Sequence, residues 1–330
     1  MKGYKQLSYK QRCYIYILFK SNLSQRQIAS KLGVNQSTIC REFKRNSGGN
    51  GYFSDQAQAF HLLRQMRAKK ATKMIPSLRQ LIRRKLRKRW SPQQISGWLK
   101  AETDFSISHE RIYQYVYANR AEGGNLFKYL RRRGKKYSYY SRSKGYVGTI
   151  KNRVSIDERP KVVDRKSRVG DWEIDTVIGK NHKGALVTIV ERKTKFTLAA
   201  RVNNLRSKTV INASIELLKP FKNAVHTITA DNGKEFAYHE ELSKALRTKV
   251  YFCHPYSSHE RGLNENTNGL LRQYWPKERF FTDLEHDEVK KVIRELNRRP
   301  RKTLQYKTPE ALMKKHMAKI TLNTFDALQT

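Results

Sequence analysis

Apolar residues recur at helical spacing along the first fifty positions of the chain. The stripes are Ile15, Leu18 and Phe19, then Ile28 and Leu32, then Ile39 and Phe43. Residues three or four positions apart share one face of a helix, so each stripe indicates a helix that buries that face. Ser8 and Ser24 each stand three residues before a glutamine, which is the capping-box signature of a helix start. The pattern predicts three short helices.

A short turn at residues 33–35 separates the second predicted helix from the third, which covers residues 36–44. Helix, three-residue turn and helix is typical of a helix-turn-helix motif, whose second helix enters the major groove of DNA. The predicted DNA contacts of this helix are Gln36, Ser37, Thr38, Arg41, Lys44 and Arg45. Periodicity alone fits a small helical bundle equally well, but the basic, acid-poor surroundings favour DNA binding. We assign residues 1–48 to this domain.

A second helical region is predicted over residues 49–118. It contains three amphipathic helices. The first covers residues 77–89, the second begins after the N-cap Ser91, and the third covers residues 109–117 after the N-cap Ser108. The last two helices indicate a second helix-turn-helix, with Arg111 as its candidate DNA contact. The alternative is a packed helical surface without a role in DNA binding.

Residues 119–165 lack an apolar period and are rich in Lys, Arg, Tyr, Ser and Gly. Such a composition is typical of a flexible segment, and its basic side chains suit phosphate groups. We predict a basic linker that orders on DNA, with Arg131, Arg132 and Arg133 as phosphate contacts. A linker that is only solvated is the alternative.

From Gly170 onwards the pattern becomes that of an α/β domain. Strands are predicted at residues 172–178, 185–191, 196–202, 225–230 and 249–253, and helices at residues 207–218, 239–246, 262–274 and 285–297. Three consecutive strands joined by short turns, followed by alternating helices and strands, indicate an RNase H-like domain with a mixed sheet. The predicted fold is therefore multidomain, with N-terminal all-α helix-turn-helix regions, an α/β RNase H-like catalytic domain at residues 166–315 and a C-terminal tail at residues 316–330.

The charge balance indicates a polyanionic partner. Lys and Arg number 69 and Asp and Glu 28, for a net charge of +41, and residues 1–150 hold only 6 of the acids against 33 basic side chains. A chain this basic is expected to bind nucleic acid. Its three cysteines, Cys13, Cys40 and Cys253, lack the spacing of a zinc finger or a disulfide framework and fit a reducing compartment. With no long apolar run, we expect no membrane association and a cytoplasmic, nucleoid-associated protein that binds double-stranded DNA.

Three carboxylates of the α/β region are candidates for catalysis. Asp175 lies on the first predicted strand, Asp231 follows the fourth, and Glu265 lies on a predicted helix 34 positions further on. Carboxylates on rigid elements can hold Mg²⁺, and two such ions about 3.5–4 Å apart can drive phosphoryl transfer. Taken singly, these residues also fit a tight turn at Asp231, an edge-strand acid at Asp175 and a helix-capping acid at Glu265. Glu173 shares the strand face of Asp175; a further metal ligand is the alternative there, and we expect a surface acid.

At these residues the chain resembles the IS30 family of bacterial insertion-sequence transposases, which have an Asp-Asp-Glu triad on an RNase H-like core. The matching stretches are residues 25–45, 170–175, 229–236, 254–272, 275–277, 297–304 and 307–309. The chain departs from the family pattern at Ile174 and Gln305, where glycine is common, and at His259, where an aromatic residue is common. None of these positions belongs to the triad.

The resemblance implies that Asp175, Asp231 and Glu265 are catalytic and bind two Mg²⁺ or Mn²⁺ ions. Arg272, seven residues after the glutamate, and Lys277 are then expected to contact DNA. It also implies recognition of terminal inverted repeats, strand cleavage by water and joining by a 3′-hydroxyl. Since two ends must be brought together, we expect a homodimer or higher oligomer. The alternatives are a DNA-binding regulator with a vestigial integrase-like domain, and a phage or element integrase.

Overall fold

The computed structural model describes residues 6–67, 74–131, 150–255 and 257–326 of the chain. It divides into two units, Met1–Lys73 and Met74–Thr330. Thirteen α-helices and six β-strands are present in the described ranges. The predicted phosphate contacts Arg132 and Arg133 lie outside these ranges.

The N-terminal unit is a bundle of four helices. They are α1 (Tyr9–Lys20), α2 (Gln25–Leu32), α3 (Gln36–Asn46) and α4 (Ser54–Arg67). The capping boxes predicted at Ser8 and Ser24 are both present. Gly33 ends α2 at φ +64°, a left-handed conformation that glycine adopts without a steric penalty. The predicted helix-turn-helix, α2 and α3 with their short turn, is therefore confirmed in geometry.

Helix α4 is an element that the apolar pattern did not predict. It packs against α1 and α3, and its fully buried residue Ala57 joins the core formed by the stripes of the first three helices. A buried ion pair between Arg12 and Glu42, 2.7 Å apart, ties α1 to α3, and Tyr52 donates to the same carboxylate. The domain boundary predicted after residue 48 is therefore wrong, because residues 49–67 complete the N-terminal core.

The second unit begins with a helical layer of three helices and a short 3₁₀ turn. These elements are α5 (Pro76–Arg87), α6 (Pro92–Glu102), α7 (His109–Ala121) and the 3₁₀ turn Leu126–Tyr129. The helices bury Leu78, Ile82, Ile95 and Ile112 against one another. Arg89, at the end of this layer, stacks over the Tyr274 ring at 4.3 Å. The helical layer thus packs against the α/β domain within one unit.

The α/β domain is built on a six-stranded mixed sheet. Its strands are β1 (Val154–Ser155), β2 (Asp171–Ile178), β3 (Ala185–Glu191), β4 (Thr197–Val202), β5 (Thr227–Ala230) and β6 (Lys249–Phe252). Their spatial order is β1-β6-β5-β2-β3-β4, in which β2, β3 and β4 are antiparallel neighbours and β5, β6 and β1 run parallel to β2. The mixed sheet predicted for an RNase H-like domain is confirmed.

Helices cover both faces of this sheet. They are α8 (Val162–Arg165), α9 (Ser207–Leu218), α10 (His239–Leu246), α11 (Gly262–Leu271), α12 (His286–Asn297) and α13 (Pro309–Asp326). Because successive side chains of a strand point to opposite faces, Ile174 packs in the core with α9 and α10, whereas Val177 packs with α11 and α12. Asp175 therefore lies on the α11 side of the sheet.

Part of the predicted linker, residues 119–165, belongs to folded elements. Residues 150–165 contain β1 and α8, and Ile150 and Val163 are buried. Arg159 is also buried, where its Nη1 donates to the Thr229 hydroxyl at 2.9 Å. A two-residue strand is too short to produce an apolar period, and the edge of an existing sheet supplies its pairing partner. The flexible-linker prediction is therefore wrong for residues 150–165.

The predicted C-terminal tail also starts inside a helix. Helix α13 runs from Pro309 to Asp326, so the boundary after residue 315 falls within it. Met313 is buried in the main core of the sheet, and Met317 packs against that core. Over the described residues, no helix is both long and apolar enough to cross a membrane. The three cysteines are free thiols.

Candidate active site

Two parallel strands place Asp175 and Asp231 at the same level of the sheet. Strand β2 pairs with β5 through Glu173 opposite Thr229, and two further residues along each strand lead to Asp175 and Asp231. Pairing with β5 ends at Glu173, because β5 itself ends at Ala230. Asp175, within β2, and Asp231, just beyond the end of β5, therefore lie side by side, near α11.

Arg261, immediately before α11, joins these two carboxylates. Its Nη1 lies 3.1 Å from Asp175 Oδ1 and its Nη2 lies 2.7 Å from Asp231 Oδ2. Nη1 also donates to the Ile174 carbonyl at 3.2 Å. Burial lowers the pKa of Arg261, but the charges of Asp175 and Asp231 outweigh it and the net pKa is raised. One cation thus balances two acids that lie close together.

Asp175 is the more buried of the two acids and is held by several donors. The Asn268 amide donates to its Oδ2 at 2.7 Å, and the Thr176 backbone N–H donates to its Oδ1 at 2.9 Å. Burial raises the pKa of Asp175, and the charge of Asp231 raises it further, against the effect of Arg261. A carboxylate in this position favours a nearby cation because its solvation is incomplete.

A third acid near this pair, Glu235, was not predicted as a site residue. It accepts a hydrogen bond from the Thr176 hydroxyl at 2.9 Å, and burial together with the charges of Asp231 and Asp175 raises its pKa. The signal for Glu235 was its position four residues after Asp231, in the short 3₁₀ turn that follows β5. In the tight turn just before it, Asp231 accepts from the Gly233 N–H at 3.0 Å, so the turn and the acid site predicted for Asp231 coexist.

Glu265 lies on the stripe of α11 that faces this pair but is not brought into contact with it. Arg261 and Asn268, four residues before and three after it, both reach Asp175, whereas Glu265 itself is exposed. Across the described ranges, no group of three His, Cys, Asp or Glu side chains converges closely enough to hold a metal ion. The structure therefore assembles two of the three predicted acids.

The pair nevertheless suits a hard divalent cation in its chemistry. Asp175 and Asp231 offer only oxygen atoms, the ligand type that Mg²⁺ and Mn²⁺ prefer. The guanidinium of Arg261 lies between them, in the position that a shared cation would take. The residues fit a divalent ion if Arg261 moves aside.

Glu173 is not on the surface, where the sequence predicted it. It is fully buried, pairs with Arg192 at 2.7 Å and accepts from the Asn264 N–H at 3.3 Å. Its pKa is raised by burial, against the effect of Arg192. Strand alternation correctly predicted the face of Glu173, but not that α11 covers it. Glu173 therefore anchors the start of α11.

Arg272 and Lys277 lie beyond the pair. The Nη2 of Arg272 donates to the Ile178 carbonyl at the end of β2 at 2.7 Å, and its Nη1 is buried without a hydrogen-bond partner. Burial lowers the pKa of Arg272. Lys277 is exposed. Arg272 is thus placed against the sheet, with one donor available to a further acceptor.

The other predicted DNA contacts are mostly exposed. Gln36, Ser37, Arg41, Lys44 and Arg45 are exposed on or near α3, and Thr38 is half-buried. Arg111 is exposed on α7, with its Nη1 3.0 Å from Gln114 Oε1. Arg131 is exposed as well and donates to Asn266 Oδ1 at 3.1 Å, next to Glu265. These side chains are accessible to a ligand in their own units.

Comparison with known proteins identifies both units. Residues 3–46 match a helix-turn-helix domain family and residues 166–258 match the integrase core domain family. A transposase for insertion sequence element IS4351 of Bacteroides fragilis is 42% identical over 94% of this chain and 96% of its own. Transposase InsI for insertion sequence element IS30A of Escherichia coli is 34% identical over 90% of this chain and 80% of its own.

Among solved structures, the catalytic core domain of BIV integrase matches 46% of this chain and 98% of its own with a TM-score of 0.36 and 21% identity. The identities to the two transposases extend over nearly the whole chain, and both domain families lie in the expected order. The chain is therefore an enzyme of the IS30 family of insertion-sequence DNA transposases, with an N-terminal helix-turn-helix and an integrase core.

Proposed function

We propose that this transposase binds the terminal inverted repeats of a mobile element and catalyses metal-dependent cleavage and transfer of its DNA strands. The observation that supports this most directly is the convergence of Asp175 and Asp231 on one cation, Arg261. Two acids on adjacent strands, one within β2 and one just after β5, facing a helix that carries a third acid, provide what phosphoryl transfer requires of a protein.

Asp175, Asp231 and Glu265 would hold two Mg²⁺ or Mn²⁺ ions. Bound ions would supply polarisation of the scissile phosphate and activation of the attacking hydroxyl. Asn268 and the Thr176 N–H orient the Asp175 carboxylate, so that its oxygens are fixed before substrate arrives. Glu265 is exposed on the same stripe of α11 as Asn268, which leaves its side chain room to turn toward Asp175.

The chain's own residues would position the DNA rather than form a covalent bond with it. Water attacks in the cleavage step, and the freed 3′-hydroxyl attacks in the joining step, as the family resemblance implies. The buried Nη1 of Arg272, which has no hydrogen-bond partner, supports a contact with a phosphate oxygen at this site. Lys277 adds an exposed positive charge beyond the end of α11.

DNA recognition is assigned to exposed basic and polar side chains. We propose that α3 reads the major groove and that Arg111 and Arg131 contact phosphates. Two ends must be held together for transfer, so the active complex would contain at least two copies of the chain. The protein would act in the bacterial cytoplasm, on the nucleoid.

Replacement of Asp231 by Asn tests this proposal. Asn keeps the shape of the side chain but removes the charge, so strand nicking of an inverted-repeat duplex in Mg²⁺ is expected to fall about a thousandfold or more. Binding of the same duplex, measured by fluorescence anisotropy in EDTA, is expected to stay within about twofold. Nicking is followed on labelled strands by gel electrophoresis.

Asp287→Asn is the matched control, since the side chain of this residue is 90% exposed on α12 and pairs with Lys290. It makes the same chemical change and is expected to leave nicking unaltered. Nicking by Asp231→Asn at the wild-type rate would refute the assignment of the acids. Binding of inverted repeats without any nicking by the wild-type chain would favour a regulator with a vestigial catalytic domain.

A further inference from the structure

A cleft of about 820 Å³ lies between the helical layer α5–α7 and helix α11, within the second unit. Its walls are strongly basic. Its lining includes five basic residues, Arg89, Arg131, Arg299, Arg301 and Lys302, and one acid, Glu110, among the described residues. A cavity with this excess of positive charge favours an anionic ligand.

Aromatic rings form one wall of this cleft. Tyr113 and Tyr117, four residues apart on α7, lie parallel with centroids 6.1 Å apart and an interplanar angle of 18°. Tyr117 is 53% exposed, and Tyr129 lines the cleft as well. Flat, exposed rings beside guanidinium groups are the surfaces on which nucleic-acid bases stack. The cleft therefore offers both phosphate and base contacts.

Two arginines at the opposite wall lack a negative partner. Arg299 is only 1% exposed and donates to Gln273 Oε1 at 3.0 Å and to the Tyr274 hydroxyl, while its Nε has no hydrogen-bond partner. The Nε of Arg301 is likewise buried without a hydrogen-bond partner. Neither arginine forms an ion pair with a carboxylate of the described residues.

The electrostatic effect of this arrangement is visible at Arg301. Burial, together with the charges of Arg299 and Arg131, lowers its pKa to about 10. An anion that is buried beside such like charges offsets their repulsion and stabilises their charged forms. A phosphate is the anion expected in a DNA-processing enzyme.

The cleft continues along α11 into a second cavity of about 340 Å³. Asn266, Arg301 and Thr303 line both cavities. The second adds the basic residues Lys166, Arg192 and Lys195, and the acids Glu173, which pairs with Arg192, and Glu260. Burial, followed by the charge of Lys166, lowers the pKa of Lys195 to about 8. A basic path that passes Asn266, the neighbour of Glu265, suits a chain-like ligand rather than a compact one.

We propose that this cleft holds an unpaired strand of DNA beside the active site, with bases stacked on the tyrosines of α7 and phosphates against Arg301 and Lys302, where the buried charge of Arg299 adds to the attraction. A cavity of this volume matches a small-molecule site and accommodates about one or two nucleotides, whereas a duplex is too wide for it. The proposal rests on the proposed function, because it takes DNA to be the substrate. It adds that the strand is separated from its complement in the cleft.

The test measures binding of single strands and duplexes by the full-length protein in EDTA, where no cleavage occurs. The probes are a fluorescein-labelled 20-nucleotide thymidine strand containing one 2-aminopurine, and a 20-base-pair duplex. Tyr117→Leu, which removes the stacking ring but keeps an apolar side chain, is expected to weaken binding of the single strand about fivefold or more. It is also expected to remove the quenching of 2-aminopurine, and to leave duplex binding within about twofold.

Tyr238→Leu is the matched control, because Tyr238 is 51% exposed at the start of α10, outside the cleft. A second pair of variants tests the charge. Lys302→Gln in the cleft is expected to reduce the salt slope of single-strand binding by about 0.7, whereas Lys208→Gln, exposed on α9, is not.

An equal loss of single-strand and duplex binding in Tyr117→Leu would overturn the proposal, as would a loss no larger than that of Tyr238→Leu. Failure of this proposal can be distinguished from failure of the proposed transposase chemistry. A wild-type chain that nicks DNA but shows no effect of Tyr117 keeps the transposase chemistry and loses the single-strand site. A chain with a Tyr117-dependent single-strand site but no nicking keeps the site and loses the chemistry.

Discussion

At the scale of single residues, the central feature is a positive side chain between two acids. Asp175 and Asp231 would repel each other without a counter-charge, and Arg261 supplies one through contacts of 3.1 and 2.7 Å. The guanidinium of Arg261 can occupy this position only while no other cation is bound there. The stability of the site therefore depends on whether Arg261 or another cation neutralises the two acids.

Replacement of Arg261 by Gln should show whether Arg261 stabilises the acid pair and whether it competes there with a divalent ion. Without Mg²⁺ the variant is expected to be less stable by about 1–3 kcal/mol, less than for a fully buried pair because Asp231 is partly exposed. Mg²⁺ is expected to restore more stability to this variant than to the wild type, since bound ligand stabilises the folded state and no longer competes with Arg261. Urea unfolding followed by tryptophan fluorescence measures both, because all four tryptophans lie in the second unit.

Arg272→Gln, at the other end of α11, serves as the reference. Its guanidinium donates to the Ile178 carbonyl rather than to a carboxylate, so its response to Mg²⁺ should equal that of the wild type. If Mg²⁺ stabilised Arg261→Gln no more than it stabilises the wild type, the view that a divalent ion competes with Arg261 would be contradicted.

The sequence predicted individual site residues as far as local pattern and family resemblance reach. Asp175 and Asp231 converge because β2, which carries Asp175, pairs with β5, and Asp231 directly follows β5; the apolar pattern identified both strands. The partners of these acids could not be predicted in the same way. Arg261 and Glu235 meet them only after α11 and the 3₁₀ turn fold back onto the sheet, and the Glu173–Arg192 pair depends on what covers β2.

At the scale of elements, prediction succeeded where an apolar period was long enough. Strand β3 and helices α9 and α10 have the bounds that the pattern predicted. Helix α4 and strand β1 were missed, because α4 has a single fully buried residue, Ala57, and β1 is two residues long. Gln305 shows a further element-level constraint: it adopts φ +53°, which explains why glycine is common at this position of the family pattern.

The turn of the helix-turn-helix depends on the same constraint at Gly33. Its φ of +64° costs a non-glycine residue about 1–2 kcal/mol, so Gly33→Ala is expected to open the α2–α3 pair more often. Hydrogen exchange of peptides from α2 and α3 should become about 5- to 30-fold faster in the full-length protein, while peptides from the sheet are unaffected. Mass spectrometry resolves the two sets of peptides.

Gly49→Ala provides the comparison, because Gly49 has no positive φ and nothing lies within 4 Å of a Cβ added there. Its exchange rates should stay close to those of the wild type. Equal exchange in the two variants would show that the left-handed conformation of Gly33 does not limit the stability of this motif.

At the scale of the whole molecule, the acids are concentrated in the part of the chain that contains the acid site. The chain carries a net charge of +41, and most of its acids lie in residues 151–330, which contain the acid site. Basic side chains proposed to contact DNA occur in both units. Of those that are exposed, Arg41, Lys44 and Arg45 lie in the first unit, and Arg111, Arg131 and Lys277 lie in the second.

Six such contacts set the expected salt dependence of duplex binding. Each neutralised phosphate contributes about 0.9 to the slope, so the logarithm of affinity should fall with the logarithm of salt concentration with a slope of about −5. Affinity would then drop about a thousandfold between 50 and 200 mM salt, as measured by anisotropy. Lys44→Gln with Arg45→Gln should make the slope shallower by about two, whereas Lys208→Gln with Lys222→Gln, also exposed, should not. An unchanged slope in the first pair would exclude α3 as a phosphate-binding element and leave the second unit to bind DNA by itself.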